Sequence, residues 1–198
     1  MDTYREAIVA GLLILVMIFI GCDSPERRYK RLEKKELARN ERFDDLFFGI
    51  RFGMSNQEFR DHCYEMNLQG KFKQGGQRNL IWVECKLPEE MDYPAAINFY
   101  PEFTNDTITG MNASVYYDNA VFRDGIFETD SLLLDVLALS DKWYGAGHTR
   151  IESPVFYKED IYVKIRGNRR ITIYPDISGQ MINLWYQDLK SRKPNEDE

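Results

Sequence analysis

The chain opens on an uncharged apolar run, residues 7–21, and its later hydrophobic positions fall into short periodic segments. Phe59, His62, Cys63 and Met66 recur at i, i+3, i+4 and i+7, which is one face of a helix. Ser55-Asn56-Gln57-Glu58 before them has the S-x-x-E form of a capping box, and Gly70 marks a stop. Gly75-Gly76 predicts a turn. Ile81, Val83, Cys85 and Leu87 then alternate with Trp82, Glu84 and Lys86, the period of a strand. Two more strands are expected over 95–100 and 108–117, joined by a loop at Asn105-Asp106. A second helix is predicted over 131–144, with Thr129 or Asp130 as cap and Gly145 as stop. Its stripe is Leu133, Val136, Leu137 and Ser140, widened by Leu132, Leu139 and Trp143. Strands follow at 154–158, 161–166, 170–174 and 180–187, with Gly167-Asn168 as a hairpin turn.

The plan therefore occurs twice, and residues match as well as order. Ile97-Asn98-Phe99-Tyr100-Pro101-Glu102-Phe103 lines up with Ile171-Thr172-Ile173-Tyr174-Pro175-Asp176-Ile177, and Val115-Tyr116-Tyr117 with Leu184-Trp185-Tyr186. The expected fold class is α+β: a tandem repeat of a helix followed by an antiparallel β-meander, helices on one sheet face. The units span 47–122 and 123–190, after a charged tether at 22–46 and before a polar tail at 191–198. The alternative is two unrelated halves that share common strand chemistry.

With Ile81, Val83, Ile97, Phe99, Val115 and Tyr117 inward, Trp82, Tyr100 and Tyr116 point outward. In the second unit, Ile161, Val163, Ile171, Ile173, Leu184 and Tyr186 inward place Tyr162, Tyr174 and Trp185 outward, beside Lys164 and Arg166. Helices on one face leave the other open, and aromatics among polar groups there suit a protein or glycan partner. A cross-strand ladder without a ligand, or burial against the tether, is the competing explanation.

The first apolar run is about 22 Å long as a helix, short for a bilayer span but suited to a secretory signal over residues 1–21. It ends in Phe19-Ile20-Gly21-Cys22, which resembles the lipobox of bacterial lipoproteins, in the looser Bacteroidetes-type form. That resemblance implies lipidation of Cys22, a membrane anchor and an extracytoplasmic body, with the outer membrane favoured. An uncleaved anchor with an incidental cysteine is the alternative. Residues 23–42 carry eight Lys/Arg and five Asp/Glu, a solvated tether whose basic character also suits anionic lipid headgroups. The tether reading is preferred, because interspersed acids dilute the field.

Phe52-Gly53-Met54-Ser55, with a capped helix and a meander behind it, resembles the opening motif of the BamE/SmpA family. The β-lactamase-inhibitor-protein fold is similar in plan. The resemblance implies one sheet built from two α/β units and an envelope binding or assembly role without catalytic residues.

Composition supports a folded body: 43% hydrophobic and 14% aromatic residues over 198 positions. A net charge of −6 argues against a nucleic-acid partner. No phosphate-loop, nucleophile-elbow, zinc-protease or C-x-x-C pattern occurs, so no catalytic residue, cofactor or metal is expected. Of two histidines, His62 reads as a core-edge residue. His148, in the Gly145–Thr149 loop, is the one candidate base, with Asp141 or Glu152 nearby. Cys63 and Cys85 both face inward, either as a disulfide or as two buried thiols. The first expectation is thus a non-enzymatic envelope lipoprotein binding a protein. A glycan or small-molecule receptor, and a hydrolase centred on His148, are the alternatives.

Overall fold

The computed structural model describes residues 25–77, 80–87, 90–118, 129–151, 160–177 and 179–191. The apolar run, Cys22, Glu152 and the strand expected at 154–158 lie outside them. Among the described residues there are three helices: α1 (Pro25–Ala38), α2 (Asn56–Leu68) and α3 (Thr129–Tyr144). Eight strands accompany them: β1 (Phe72–Gln77), β2 (Leu80–Lys86), β3 (Ala95–Thr104), β4 (Thr107–Tyr117), β5 (Thr149–Ile151), β6 (Ile161–Arg166), β7 (Arg169–Pro175) and β8 (Ile182–Asp188). They form one open antiparallel sheet in the order β1-β2-β3-β4-β8-β7-β6-β5. The α+β class expected from the sequence is the observed one.

Local chemistry sets the helix ends. The Ser55 hydroxyl accepts from the Glu58 amide at 3.2 Å, and Glu58 Oε2 accepts from the Ser55 amide at 2.7 Å. The capping box thus satisfies two backbone donors at the start of α2. Gly70 and Gly145 both take positive φ, +71° and +78°, just past α2 and α3, where an L side chain would be strained. Gly75 and Gly76 do not turn the chain. They lie within β1, opposite Trp82 and Ile81. The physical reason is on the neighbouring strand: a Cβ on Gly75 would stand 2.3 Å from the Trp82 indole nitrogen. Gly75 therefore leaves room for the indole to lie across β1.

One apolar core fills the space between the sheet and the α2–α3 side, here the inner face. Ile97, Phe99, Val115, Ile171, Ile173, Leu184 and Tyr186 supply the sheet side; Phe59, Leu132, Val136 and Leu139 supply the helices. The segment 46–54 plugs the middle. Phe47 packs edge-on to Phe99 and Tyr186 and stacks on Trp143, with centroids 5.1–5.9 Å apart.

α2 and α3, the two helices expected on one sheet face, share the inner face, whereas α1, from the segment expected as a tether, lies on the other. α1 lies on the outer face, over β5 and β6, where Tyr29, Leu32 and Leu37 cover Val163, Ile165 and Leu189. Much of the segment expected as a tether is therefore packed on the body. The stretch that follows α1 is fastened at the β6–β7 turn. There Asn168, fully buried, accepts from the Phe43 amide at 2.7 Å and donates to Asp44 at 3.1 Å and Asp188 at 3.0 Å. Gly167 has φ +55°, as a first turn residue of the II′ kind requires. A Cβ there would also stand 2.6 Å from the Glu41 carbonyl.

Candidate functional site

The outer face divides into a covered and an open half. On the open half, Trp82 and Tyr100 flank the inward pair Val83–Phe99. Tyr100 continues a row through Asn112, Trp185 and Thr172. A second row runs Glu84, Asn98, Ser114, Asn183 and Tyr174. The sequence placed Trp82, Tyr100, Tyr116, Tyr174 and Trp185 outward, and all five lie on this face.

Its polar groups are organised. The Tyr116 hydroxyl donates to Glu84 Oε2 at 2.9 Å and approaches Asn98 Oδ1 at 3.4 Å. Burial, reinforced by the Glu84 carboxylate, pushes the Tyr116 phenol up to about 12, so it remains a donor. Ser114 donates to Asn183 at 2.7 Å, and Asn112 to Glu102 at 2.6 Å. Glu102 lies over Gly110, where a Cβ would meet its Oε2 at 2.4 Å. Glycines thus seat two large side chains flat on this face, Trp82 on Gly75 and Glu102 on Gly110. The pattern of strand residues does not announce that; only the cross-strand register does. Tyr100 remains 50% exposed.

Trp185 stands at the border. Its ring lies 5.9 Å from the Arg170 guanidinium, which bonds Gln187, the Tyr29 hydroxyl of α1 and, more loosely, Glu33. Trp185 is thus attached to the covered half, and its indole nitrogen is buried without a hydrogen-bond partner.

Tyr162, Lys164 and Arg166 are on the other face, a second correction. Tyr162 pairs with the inward Ile173, and Lys164 with the inward Ile171. Val163 and Ile165 instead point outward, under α1. Two forces set this phase. α1 offers β6 an apolar cover, and the C-terminus of α3 offers its cations a set of carbonyls. Lys164 donates to Asp141 at 2.7 Å, to the Gly145 carbonyl and to the Ser140 carbonyl at 3.4 Å; Arg166 reaches the Tyr144 carbonyl at 3.4 Å. Cations at the negative end of a helix are favourable.

His148 joins the same network. Its Nδ1 is 3.1 Å from Asp141 Oδ1 and its Nε2 is 3.1 Å from the Ser140 hydroxyl. With Nδ1 donating to the carboxylate, Nε2 accepts from Ser140. This Ser–His–Asp order is that of a hydrolytic triad. Two properties oppose the chemistry. Ser140 is 1% exposed, mid-helix. Burial, aided by the Lys164 charge against Asp141, lowers the His148 pKa to about 4, too weak a base near neutrality. The network locks the loop after α3 onto β6.

The His148 shift carries a pH consequence. The native imidazole stays neutral down to about pH 4, whereas the unfolded one takes a proton from about pH 6.5 downward. Stability is therefore lost as pH falls through that window, up to about 3 kcal/mol, and the loss levels off below it. Denaturant unfolding at pH 7 and 4.5 is expected to show a smaller pH loss in His148→Asn than in the parent. Equal losses would remove this source.

Cys63 and Cys85 stand as free thiols in the structure, Cys63 half-buried and Cys85 buried. They open on different recesses, of about 430 and 600 Å³. Burial raises each thiol to about 11, with nearby Glu90 and Glu84 adding to Cys85. Such thiols are poor nucleophiles. His62 Nε2 donates to the Phe48 carbonyl at 2.8 Å, the core-edge position expected of it.

Among the described residues no cluster of three or more His, Cys, Asp or Glu is placed to hold a metal ion, and no helix is long and apolar enough to cross a membrane. No protein-family model, curated protein or solved structure matches the chain.

Proposed function

We propose that this protein is a non-enzymatic cell-envelope lipoprotein, anchored through Cys22, that binds a protein partner on the open half of its sheet. The observation that carries the reading is the asymmetry of the outer face. α1 covers the apolar row on β6, while no helix among the described residues covers Trp82, Tyr100 and Tyr116 on β2–β4. The open half combines aromatic rings with Glu84, Asn98, Glu102 and Asn112, the mixture that suits a protein interface.

We further read the sheet as two like units joined at β4 and β8. Support comes from the order of elements, a helix then four strands in each half, and from the strand order, which mirrors itself about that junction. Ile97 and Phe99 pair with Val115 and Ala113, while Ile171 and Ile173 pair with Tyr186 and Leu184. Against the residue match this is a slip of two positions, which keeps every side chain on its face. The opposite phase of β6 and the three-residue β5 are where the second unit departs from the first.

The test is affinity capture from the native envelope with the full chain and a Trp82→Ala/Tyr100→Ala variant. Loss of one reproducible protein by at least about tenfold, with unchanged thermal stability, is expected of a two-aromatic hot spot. Undiminished capture means that this face is not the site. Saturable tryptophan quenching by a polysaccharide, without any protein captured, would transfer the same face to the glycan reading.

A further inference from the structure

The fold sorts the charges of α1 onto opposite sides. At 100° per residue, Arg27, Arg28, Lys30, Arg31, Lys34 and Lys35 fall within an arc of about 160°. All six are exposed. Tyr29, Leu32 and Leu37, which pack on the body, occupy the other arc, and the acids Glu26, Glu33 and Glu36 fall there too. Glu36 is 7% exposed and accepts from the Gly167 amide at 3.1 Å and from Arg39 at 3.4 Å. Glu33 turns to Arg170, 3.7 Å away. Glu33 and Glu36, which interrupt the basic run in sequence, thus turn toward the body, and Glu26 lies at the edge of the basic arc.

We infer that this cationic face of α1 lies on an anionic phospholipid surface, so that the body is held flat against the membrane rather than swinging from it. The inference rests on the reading of Cys22 as the anchored residue. Pro25 is three residues further on, so at most about 11 Å of extended chain separates the anchor from the helix. That is comparable with the screening length of about 8 Å at physiological salt, within which lysines and arginines feel anionic lipid. Because α1 is clamped to β5 and β6 and its following segment to Asn168, orienting α1 orients the sheet. The open half, on β1–β4, shares the outer face with α1 and therefore looks toward the membrane side from the other end of the sheet, where a membrane-proximal partner would meet it.

The experiment uses the full chain purified from bacterial membranes and reconstituted in vesicles of phosphatidylcholine alone or with about 30% phosphatidylglycerol. Lysine acetylation rates are read by mass spectrometry at Lys30, Lys34 and Lys35, with Lys73 on β1 as the internal control. Protection of the α1 lysines by about fivefold or more in the anionic vesicles, reversed by about 0.5 M salt and weakened in Arg27→Gln/Arg31→Gln, is the expected result. Equal rates in both vesicles, or protection that ignores salt, would overturn it. The mass of the N-terminal peptide reports the anchor separately. Protected lysines on a chain with unmodified Cys22 would sink the lipoprotein reading alone. Acylated Cys22 with unprotected lysines would sink this inference alone.

Discussion

Asp141→Ala is expected to destabilise the fold by about 3 kcal/mol, read as a lowered midpoint in chemical denaturation with unchanged slope. The side chain of Lys164 is only 5% exposed, and Asp141, 2.7 Å away, is its charged partner. Burial already pulls the Lys164 pKa down, with Asp141 opposing that fall. Removing the carboxylate leaves a buried ammonium on carbonyls alone and takes the Nδ1 partner from His148. The figure belongs at the lower end for a broken buried pair, because Asp141 itself is 41% exposed and water replaces part of what is lost. Lys164→Met added to Asp141→Ala is expected to recover part of the loss, since the unpaired charge has gone. A double variant as unstable as the sum of the singles would show that the pair does not couple.

Asn168→Ala is expected to cost a similar amount, about 3 kcal/mol, and to loosen α1 as well. The change removes three hydrogen bonds at once and leaves the Phe43 amide and the buried Asp188 short of a partner. Each orphaned group costs about 1–3 kcal/mol, less whatever water reaches. Asp188 keeps Arg42, at 3.2 Å, and the Ser191 hydroxyl, at 2.7 Å, which limits the damage. Hydrogen exchange distinguishes this site from an ordinary core defect: amides of α1 are expected to lose protection before those of β3 and β4. Uniform loss across the sheet would mean that Asn168 does not fasten the N-terminal segment in particular.

The two sites explain which parts of the fold were legible in the sequence. Capping, helical stripes and strand alternation are local, and α2, α3, β3, β4, β7 and β8 follow from them. Alternation reports which residues share a face, not which face meets the core. In β6 the alternation puts Ile161 and Val163 inward, the default for a sheet with one covered face. They point outward because Tyr29, Leu32 and Leu37, more than a hundred positions upstream, cover them. That cover is hard to see in a segment as charged as 25–38, where only Tyr29 and Leu32 keep a helical spacing. Tyr162, Lys164 and Arg166 left the candidate site for the same reason. Gly75-Gly76 misled in a different way. The pair has turn composition, but the space at Gly75 is taken by Trp82 from β2, a contact that exists only once the register is set. The candidate face survives on β2–β4, where inward positions are fixed by a core made of their own neighbours.

The central claim is that the outer face of β2–β4 is where a partner sits. A photo-crosslinking residue placed at Tyr100 in the full chain, in living cells, tests it most directly. Tyr64 on α2, also exposed, serves as the control position. The account predicts one discrete protein adduct from position 100 and none of the same mass from position 64. Adducts from position 64 alone, or the same adduct from both, would contradict it.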